Sequence, residues 1–487
     1  MSDRATARRS LAWSAVENIG LMLISFGTLI LYSRLLTASE FGLFSIVLAI
    51  VEMVDMIVRM LFHDALVQRD KASRLHFDTA FTVTMGLSLA GLAGCAALAP
   101  QFEQMVHVAG AGWVLAATAL ALPCGALTAT VVAQQRRDLS FRALALRSLA
   151  GRLAGAVVGL GLVLAGAGIW GMVAQQILIV GVGSAMLWWG CQPELRPRLR
   201  FGRQELRELS GFGLSSIATQ LLTFSVKRVF TIMAGALLGV QAAGVLNLAM
   251  RTVDTLYSVA ATGVSQVAMP LLSSLRTDRS RMQRVYALAT SLTCALFYGL
   301  FFGLAALAPE VVRVMFGAKW QEAAPVIAIL ACLALLQAPR LMMTPLLTAI
   351  GRPADAMIAR AAELALLLLG LVCLRDATLA WVLAVWVARE VAGFPIMLWL
   401  VRRSAHISVV DQLRGCVRPL LVSIACVLAI LALRPLLDGQ QWQPVFQLAA
   451  LSMAGAAAFI AALLLIDRPL LREAIALARA KKQGAAS

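Results

Sequence analysis

Long apolar stretches separated by short polar ones run the length of the chain, and each approaches the roughly 20 residues a helix needs to cross a bilayer core. The pattern predicts fourteen spanning helices, at 11–33, 41–62, 77–99, 108–134, 143–165, 169–191, 212–237, 242–268, 285–307, 322–348, 356–374, 378–400, 417–437 and 444–466. The expected fold is an all-α polytopic membrane protein. One stretch, 221–254, interrupts the apolar pattern. It begins as an apolar helix holding Lys227 and Arg228 side by side, pauses at Gly239-Val240-Gln241-Ala242-Ala243-Gly244, then resumes with Arg251 and Asp254 at about the same depth. An ionisable side chain at a bilayer centre costs about 2.5–3.5 kcal/mol on insertion scales, so several together imply a polar cavity or a ligand.

The polar segments sort by charge. Starting from the N-terminus, alternate segments carry nearly all the arginines and lysines, whereas the opposite set holds only Arg34, Arg313, Lys319, Arg375 and Arg434. That asymmetry places both termini in the cytoplasm. It also accounts for the balance of 42 basic against 25 acidic residues, which in a soluble protein would suggest nucleic acid. With 60% hydrophobic and 14% charged residues and a mean hydropathy of +0.84, soluble domains are excluded. The basic N-terminal segment leads into the first span without a cleavage site, as an uncleaved helix does. The 8 cysteines lie in or beside apolar segments without CxxC spacing and read as small membrane hydrophobes.

The chain repeats itself. Leu35-Leu36, Gly42 and Glu52 recur as Leu237-Leu238, Gly244 and Asp254, and Pro123, Thr128 and Arg136 recur as Pro339, Thr344 and Arg352. Two pseudo-symmetric six-helix lobes in parallel orientation, with two further helices appended, follow from this. The expected organisation is a cytoplasmic N-terminus (1–10), an N-lobe (11–191), a cytoplasmic linker (192–211), a C-lobe (212–400), helices 13 and 14 (401–466) and a basic amphipathic tail (467–487) on the anionic inner leaflet.

Several strings resemble the polysaccharide flippases of the multidrug/oligosaccharidyl-lipid/polysaccharide exporter superfamily. They include LLTASEFGLFSIVLAIV (35–51), ALVQR (65–69), RRDLSFRALALRSLAG (136–151), AGAGIWGMVAQQ (165–176), RPRLRF (196–201), PLLSSLRTDRSRM (270–282) and VMFGAKWQEAAPVI (314–327). The resemblance implies two lobes around a central V-shaped cavity that opens alternately to each side of a bacterial inner membrane. It implies an oligosaccharide carried on undecaprenyl diphosphate as substrate, with a polysaccharide polymerase and export machinery as partners beside the membrane lipids. The chain departs from relatives at Phe230-Thr231, where they commonly have Asp-Arg, and at Phe62-His63-Asp64, where they commonly have Gly-Leu.

A carrier of a lipid diphosphate must stabilise an anion partway across the bilayer, and the arginine fork suits phosphate where lysine offers a point charge. The candidate substrate-binding residues are Lys227, Arg228, Arg251, Arg340 and Arg389. The competing reading is internal pairing, Arg251 with Asp254 and Arg389 with Glu390 or Glu363. The acids Glu17, Glu52, Asp55, Asp254, Glu363 and Glu390 could couple turnover to protons or sodium. Charge balancing of neighbouring cations is the simpler account, since no ion-site geometry is legible.

The Gly166-x-Gly168-x-x-Gly171 string lies between two spans with no preceding strand and reads as a tight outer turn, not a dinucleotide fingerprint. Gly151, Gly155 and Gly159 read as close helix packing. The histidines, His63, His76, His107 and His406, read as solvated loop residues without metal-ligand spacing. No metal, cofactor, Walker motif or nucleic-acid partner is expected. A cation-coupled drug exporter of the same superfamily is the competing transport function. A membrane polymerase or glycosyltransferase would need a large extramembrane loop with acid/base residues, and the longest outer segment here, 308–320, holds one carboxylate, Glu310.

Overall fold

Helix α1 (Ser2–Leu35) runs unbroken through the basic N-terminal segment, then passes to α2 (Ala38–Met60) across Leu36 and Thr37. The turn is set by a capping box. The Thr37 amide and hydroxyl donate to the Glu40 carboxylate at 2.9 and 2.8 Å, and the Glu40 amide donates back to Thr37 Oγ1 at 3.2 Å. The chain continues through α3 (His63–Gln68), α4 (Arg74–Ala97), α5 (Ala99–Val106), α6 (Ala111–Ala119), α7 (Ala121–Arg137), α8 (Phe141–Leu164) and α9 (Ile169–Gly190) to the long α10 (Arg203–Ser274). It then forms α11 (Arg279–Ala306), α12 (Ala308–Met315), α13 (Ala323–Cys332), α14 (Ala334–Ala349), α15 (Pro353–Val372), α16 (Leu379–Ala405), α17 (Val409–Asp438) and α18 (Pro444–Ile466). This computed structural model describes residues 2–69, 72–137, 141–191, 196–274, 279–374, 378–438 and 442–466, and the basic tail expected at 467–487 lies outside them.

Among the described residues no strand occurs. Among the described residues eleven helices are long and apolar enough to cross a membrane, or twelve if α13 and α14, which meet at 44°, form one span. Two physical features separate this count from the fourteen read in the sequence. The first is α10, whose apolar stretch Phe224–Thr262 is 39 residues long, or about 58 Å of helix against a core of about 30 Å. Gly239 (φ 79°, ψ 172°) breaks it within the predicted pause, so 212–237 and 242–268 share one element. The second is α15, which carries Asp355, Arg360 and Glu363 along its apolar length.

By packing, the chain forms two units, Met1–Asn247 and Leu248–Ser487. In the first unit α8 and α9 meet along the expected glycine ladder. A Cβ on Gly155 would lie 2.7 Å from the Gln175 carbonyl oxygen, and one on Gly159 would lie 2.7 Å from that of Gly171, so the backbones approach as only glycine permits. The α8–α9 turn is tight, with Gly166 and Gly168 at positive φ. Helix α2 crosses α10 at Gly42 and Gly244, the equivalent glycines of the two repeats. A Cβ on Gly42 would strike the Val240 carbonyl oxygen, and one on Gly244 the Ala38 carbonyl oxygen.

The segment preceding α10 is bound to the start of α4. The Arg198 amide donates to Asp78 Oδ1 (2.9 Å), the Gly202 amide to Thr79 Oγ1 (3.0 Å), the Thr82 hydroxyl to the Arg200 carbonyl (2.9 Å), and Arg74 to the Arg196 carbonyl (2.7 Å). Glu208 closes this arrangement through an ion pair with Arg69 and a 3.1 Å contact to His76 Nε2. His76 is therefore not the solvated residue expected. It is 7% exposed, and its Nδ1 lies 2.7 Å from Ser73 Oγ at the helix cap.

The second unit repeats the outer helix: α12, like α5, has eight residues and opens on Ala-Pro after a leucine. Its longer loop buries Phe316 and Trp320 completely. The appended α17 is joined to α12 by Arg434, whose Nε and Nη2 donate to the two Glu310 oxygens at 2.8 and 3.0 Å. Leu307, Cys426, Ile430 and Leu451 close an apolar cluster behind it.

The His76 and Gln204 hydrogen bonds, with the Arg69 charge, hold the Glu208 carboxyl below its usual range. A depressed carboxylate stabilises the fold above its unfolded pKa, about 4.3, and that contribution disappears as pH falls through the lowered value. Glu208→Ala is therefore expected to raise amide hydrogen exchange across 196–202 at neutral pH, whereas the unsubstituted protein shows that rise only in acid.

Candidate functional site

Charged side chains inside spanning helices are the chemistry to account for, and each unit handles them differently. In the second unit three helices bring theirs to one point. Arg340 comes from α14, Arg360 and Glu363 from α15, and Arg389 and Glu390 from α16. Arg340 donates Nη1 to Glu390 Oε2 (2.7 Å) and Nη2 to Glu363 Oε1. Arg389 donates Nη2 to Glu390 Oε1 (2.8 Å) and reaches Glu363 Oε2 at 3.5 Å, while Arg360 donates to that same oxygen at 3.0 Å. All four carboxylate oxygens are satisfied.

Arg340, Glu363, Arg389 and Glu390 are 6%, 0%, 4% and 5% exposed. The Arg389 guanidinium also lies 3.9 Å from the ring centroid of Trp386, one turn earlier on α16, in cation–π contact. Gly393 makes room for the network: a Cβ there would lie 2.8 Å from Glu363 Cγ and 3.2 Å from Arg340 Nη2. Three guanidinium groups face two carboxylates, so the cluster carries one surplus positive charge, and its most exposed member is Arg360, with a side chain 41% exposed. Tyr257 on α10, one turn beyond Asp254, lies within electrostatic reach of Arg340, Arg360 and Glu390.

The first unit holds its charges in looser pairs. Arg228 on α10 pairs with Glu52 on α2, their side chains 36% and 33% exposed. Asp55 pairs with Arg59 one turn along α2, the i, i+4 arrangement expected from the sequence. Arg152 on α8 adds its charge to the surroundings of Glu52, and Glu17 on α1 lies within electrostatic range of Arg147. Lys227 is exposed, and Arg228, half-buried, is directed elsewhere, as a 100° step between neighbours requires. In the second unit, Arg251 and Asp254 are half-buried on α10.

The structure thus joins Arg340 and Arg389 with Glu363 and Glu390, and Arg228 with Glu52. Sequence reasoning misses Arg360 and Trp386. Counting loop charge places Arg360 in a basic loop, although its position three residues before Glu363 on the same helix is an available signal. Trp386 precedes Arg389 by the same spacing.

A family model described as polysaccharide biosynthesis protein matches residues 31–325. The chain is similar along almost its whole length to the succinoglycan biosynthesis transport protein ExoT of Rhizobium meliloti (strain 1021), with 26% identity over 491 residues, 99% of this chain and 97% of that one. It is also similar to the lipopolysaccharide biosynthesis protein WzxC of Escherichia coli (strain K12), 21% identical over 69% of this chain and 68% of the relative. Among solved structures, the lipid II flippase MurJ in an inward closed conformation matches with a TM-score of 0.74 over 95% of this chain and 100% of that one, at 14% identity, a likeness of fold. With an all-helical fold of this kind and a family model that spans more than half its length, the chain belongs to the polysaccharide biosynthesis protein family of multi-pass membrane proteins.

Proposed function

We propose that the chain is a flippase that moves an undecaprenyl-diphosphate-linked oligosaccharide from the cytoplasmic to the outer leaflet of a bacterial inner membrane by alternating access, for assembly into exported or surface polysaccharide. The observation that carries this reading is the likeness, over 99% of the chain, to a protein named for succinoglycan biosynthesis transport. The charged residues of the spans fit it, because a diphosphate crossing hydrocarbon needs guanidinium and ammonium groups that are accessible yet shielded from bulk water. On this reading the protein catalyses no bond change, and its basic loops and both termini lie in the cytoplasm.

The two kinds of charge arrangement divide the work. Lys227 and Arg228 in the first unit, and Arg251 in the second, are exposed or half-buried and offer donors to the diphosphate. Glu52 holds Arg228 until the anion arrives and balances it afterwards. Asp55 and Asp254 balance charge in the same way, as does Glu17 near Arg147. Arg340 and Arg389 act on the anion through the surplus charge of their network, with Glu363 and Glu390 fixing its geometry. Arg360 is the member from which that charge is felt.

The direct test is reconstitution into liposomes that carry undecaprenyl-diphosphate-linked oligosaccharide, with a glycan-binding lectin added outside. Lectin binding at the outer surface should rise with the protein and stay at background without it, and glycan length should not change. In a deletion strain making polymer, Arg228→Ala and Arg251→Ala should each lower export about tenfold at normal protein level, and unchanged export in both would sink the assignment. The network should respond differently. Removing one partner of a buried ion pair costs about 3–5 kcal/mol, so Glu363→Gln and Arg389→Met should lower the thermal midpoint and the folded yield, while Arg360→Gln at the rim should leave both nearly unchanged.

A further inference from the structure

A second concentration of positive charge lies in the second unit, away from that network. Helices α11 and α17 approach closely where the Ser291 hydroxyl donates to the Gly415 carbonyl at 2.9 Å, and a Cβ on Gly415 would lie only 2.5 Å from Ser291 Oγ. The first turns of both helices and the α16–α17 turn line the space between them. The result is a groove of about 980 Å³. Arg284 on one wall and Arg414 and Arg418 on the other line it, and all three are exposed. The one carboxylate on the lining, Asp411, already accepts the Ser408 hydroxyl at 2.6 Å in the cap of α17.

The groove is built, not incidental. His406 lines it in a left-handed conformation (φ 53°) that non-glycine residues seldom adopt. The turn is held by Gln412, 1% exposed, whose amide donates to the Leu398 and Ile407 carbonyls at 3.2 and 3.0 Å. Three guanidinium groups form a phosphate-recognising set. On α17 the stripe that holds Arg414 and Arg418 continues into exposed Val417, Leu421, Ile424 and Leu428, a surface suited to acyl chains below a head group.

We propose that this groove binds the phosphodiester head group of an anionic membrane glycerophospholipid, which seats α17 against α11. Basic pockets between spans are suited to such lipids because the guanidinium groups meet the phosphate at the interface while the chains remain in hydrocarbon. The proposal does not depend on what the protein transports. A freely diffusing phosphate would meet the same arginines but would gain nothing from the apolar stripe.

Native mass spectrometry of the purified full chain tests it, with phosphatidylglycerol, phosphatidylcholine or inorganic phosphate added. Phosphatidylglycerol should be retained at least tenfold more than phosphatidylcholine, and millimolar phosphate should not displace it. The triple substitution Arg284→Gln, Arg414→Gln and Arg418→Gln should abolish the preference, and Arg402→Gln, at the exposed end of α16 outside the groove, should preserve it. If the triple variant does not fold, the double substitution Arg284→Gln and Arg414→Gln serves instead, with a preference reduced severalfold at an unchanged thermal midpoint. Equal retention of both lipids, displacement by phosphate, or full preference in the groove variants would overturn the proposal.

Discussion

A charge inside a bilayer has no water to turn to, and this constraint decides which helices of the second unit must be neighbours. Glu363 is fully buried, and α14, α15 and α16 each deliver a guanidinium to its carboxylate. Lipid tails are as apolar as leucine, so apolar packing alone does not choose one partner helix over another. The ion network does choose, since an altered rotation of any of the three helices would leave a buried charge unmatched. A network of this kind is worth less as stability than as specification.

The first unit meets the same difficulty with half-buried pairs. The Arg228 and Glu52 side chains remain about one-third exposed, in contrast to the closed network of the second unit. Outside the spans the problem becomes a backbone one. The segment 196–202 has no regular structure, and the Arg198 and Gly202 amides and the Arg200 carbonyl are satisfied by Asp78, Thr79 and Thr82 at the start of α4.

Much of this is legible in the residues. Apolar run length identifies the helices, the glycine spacing in α8 identifies a close contact, and the pairing of Arg389 with Glu363 or Glu390 is one of two readings the sequence leaves open. What escapes has physical reasons. Counting loop charge treats a basic residue near a helix end as a loop residue, which hides Arg360 inside α15. His76 looks like a loop histidine because sequence shows a cap only as Ser73 followed by a polar residue, and does not show Glu208 arriving from a distant helix. The attachment of 196–202 to α4 depends on backbone amides, which carry no sequence signature. The repeat is visible as matching residues, but nothing in it reveals that Gly42 and Gly244 touch.

That contact has a genetic consequence. Each glycine is the wall the other meets, and the atoms that stand closest to an added side chain are the backbone oxygens of Val240 and Ala38. No residue is smaller than glycine, and a carbonyl oxygen is present whatever amino acid supplies it. A side chain introduced at either position therefore has no compensating mutation that works by trimming its neighbour. The crossing is a site where reversion to glycine, or displacement of a whole helix, are the available remedies, and where two halves of a duplicated sequence are bound to the same residue for the same reason.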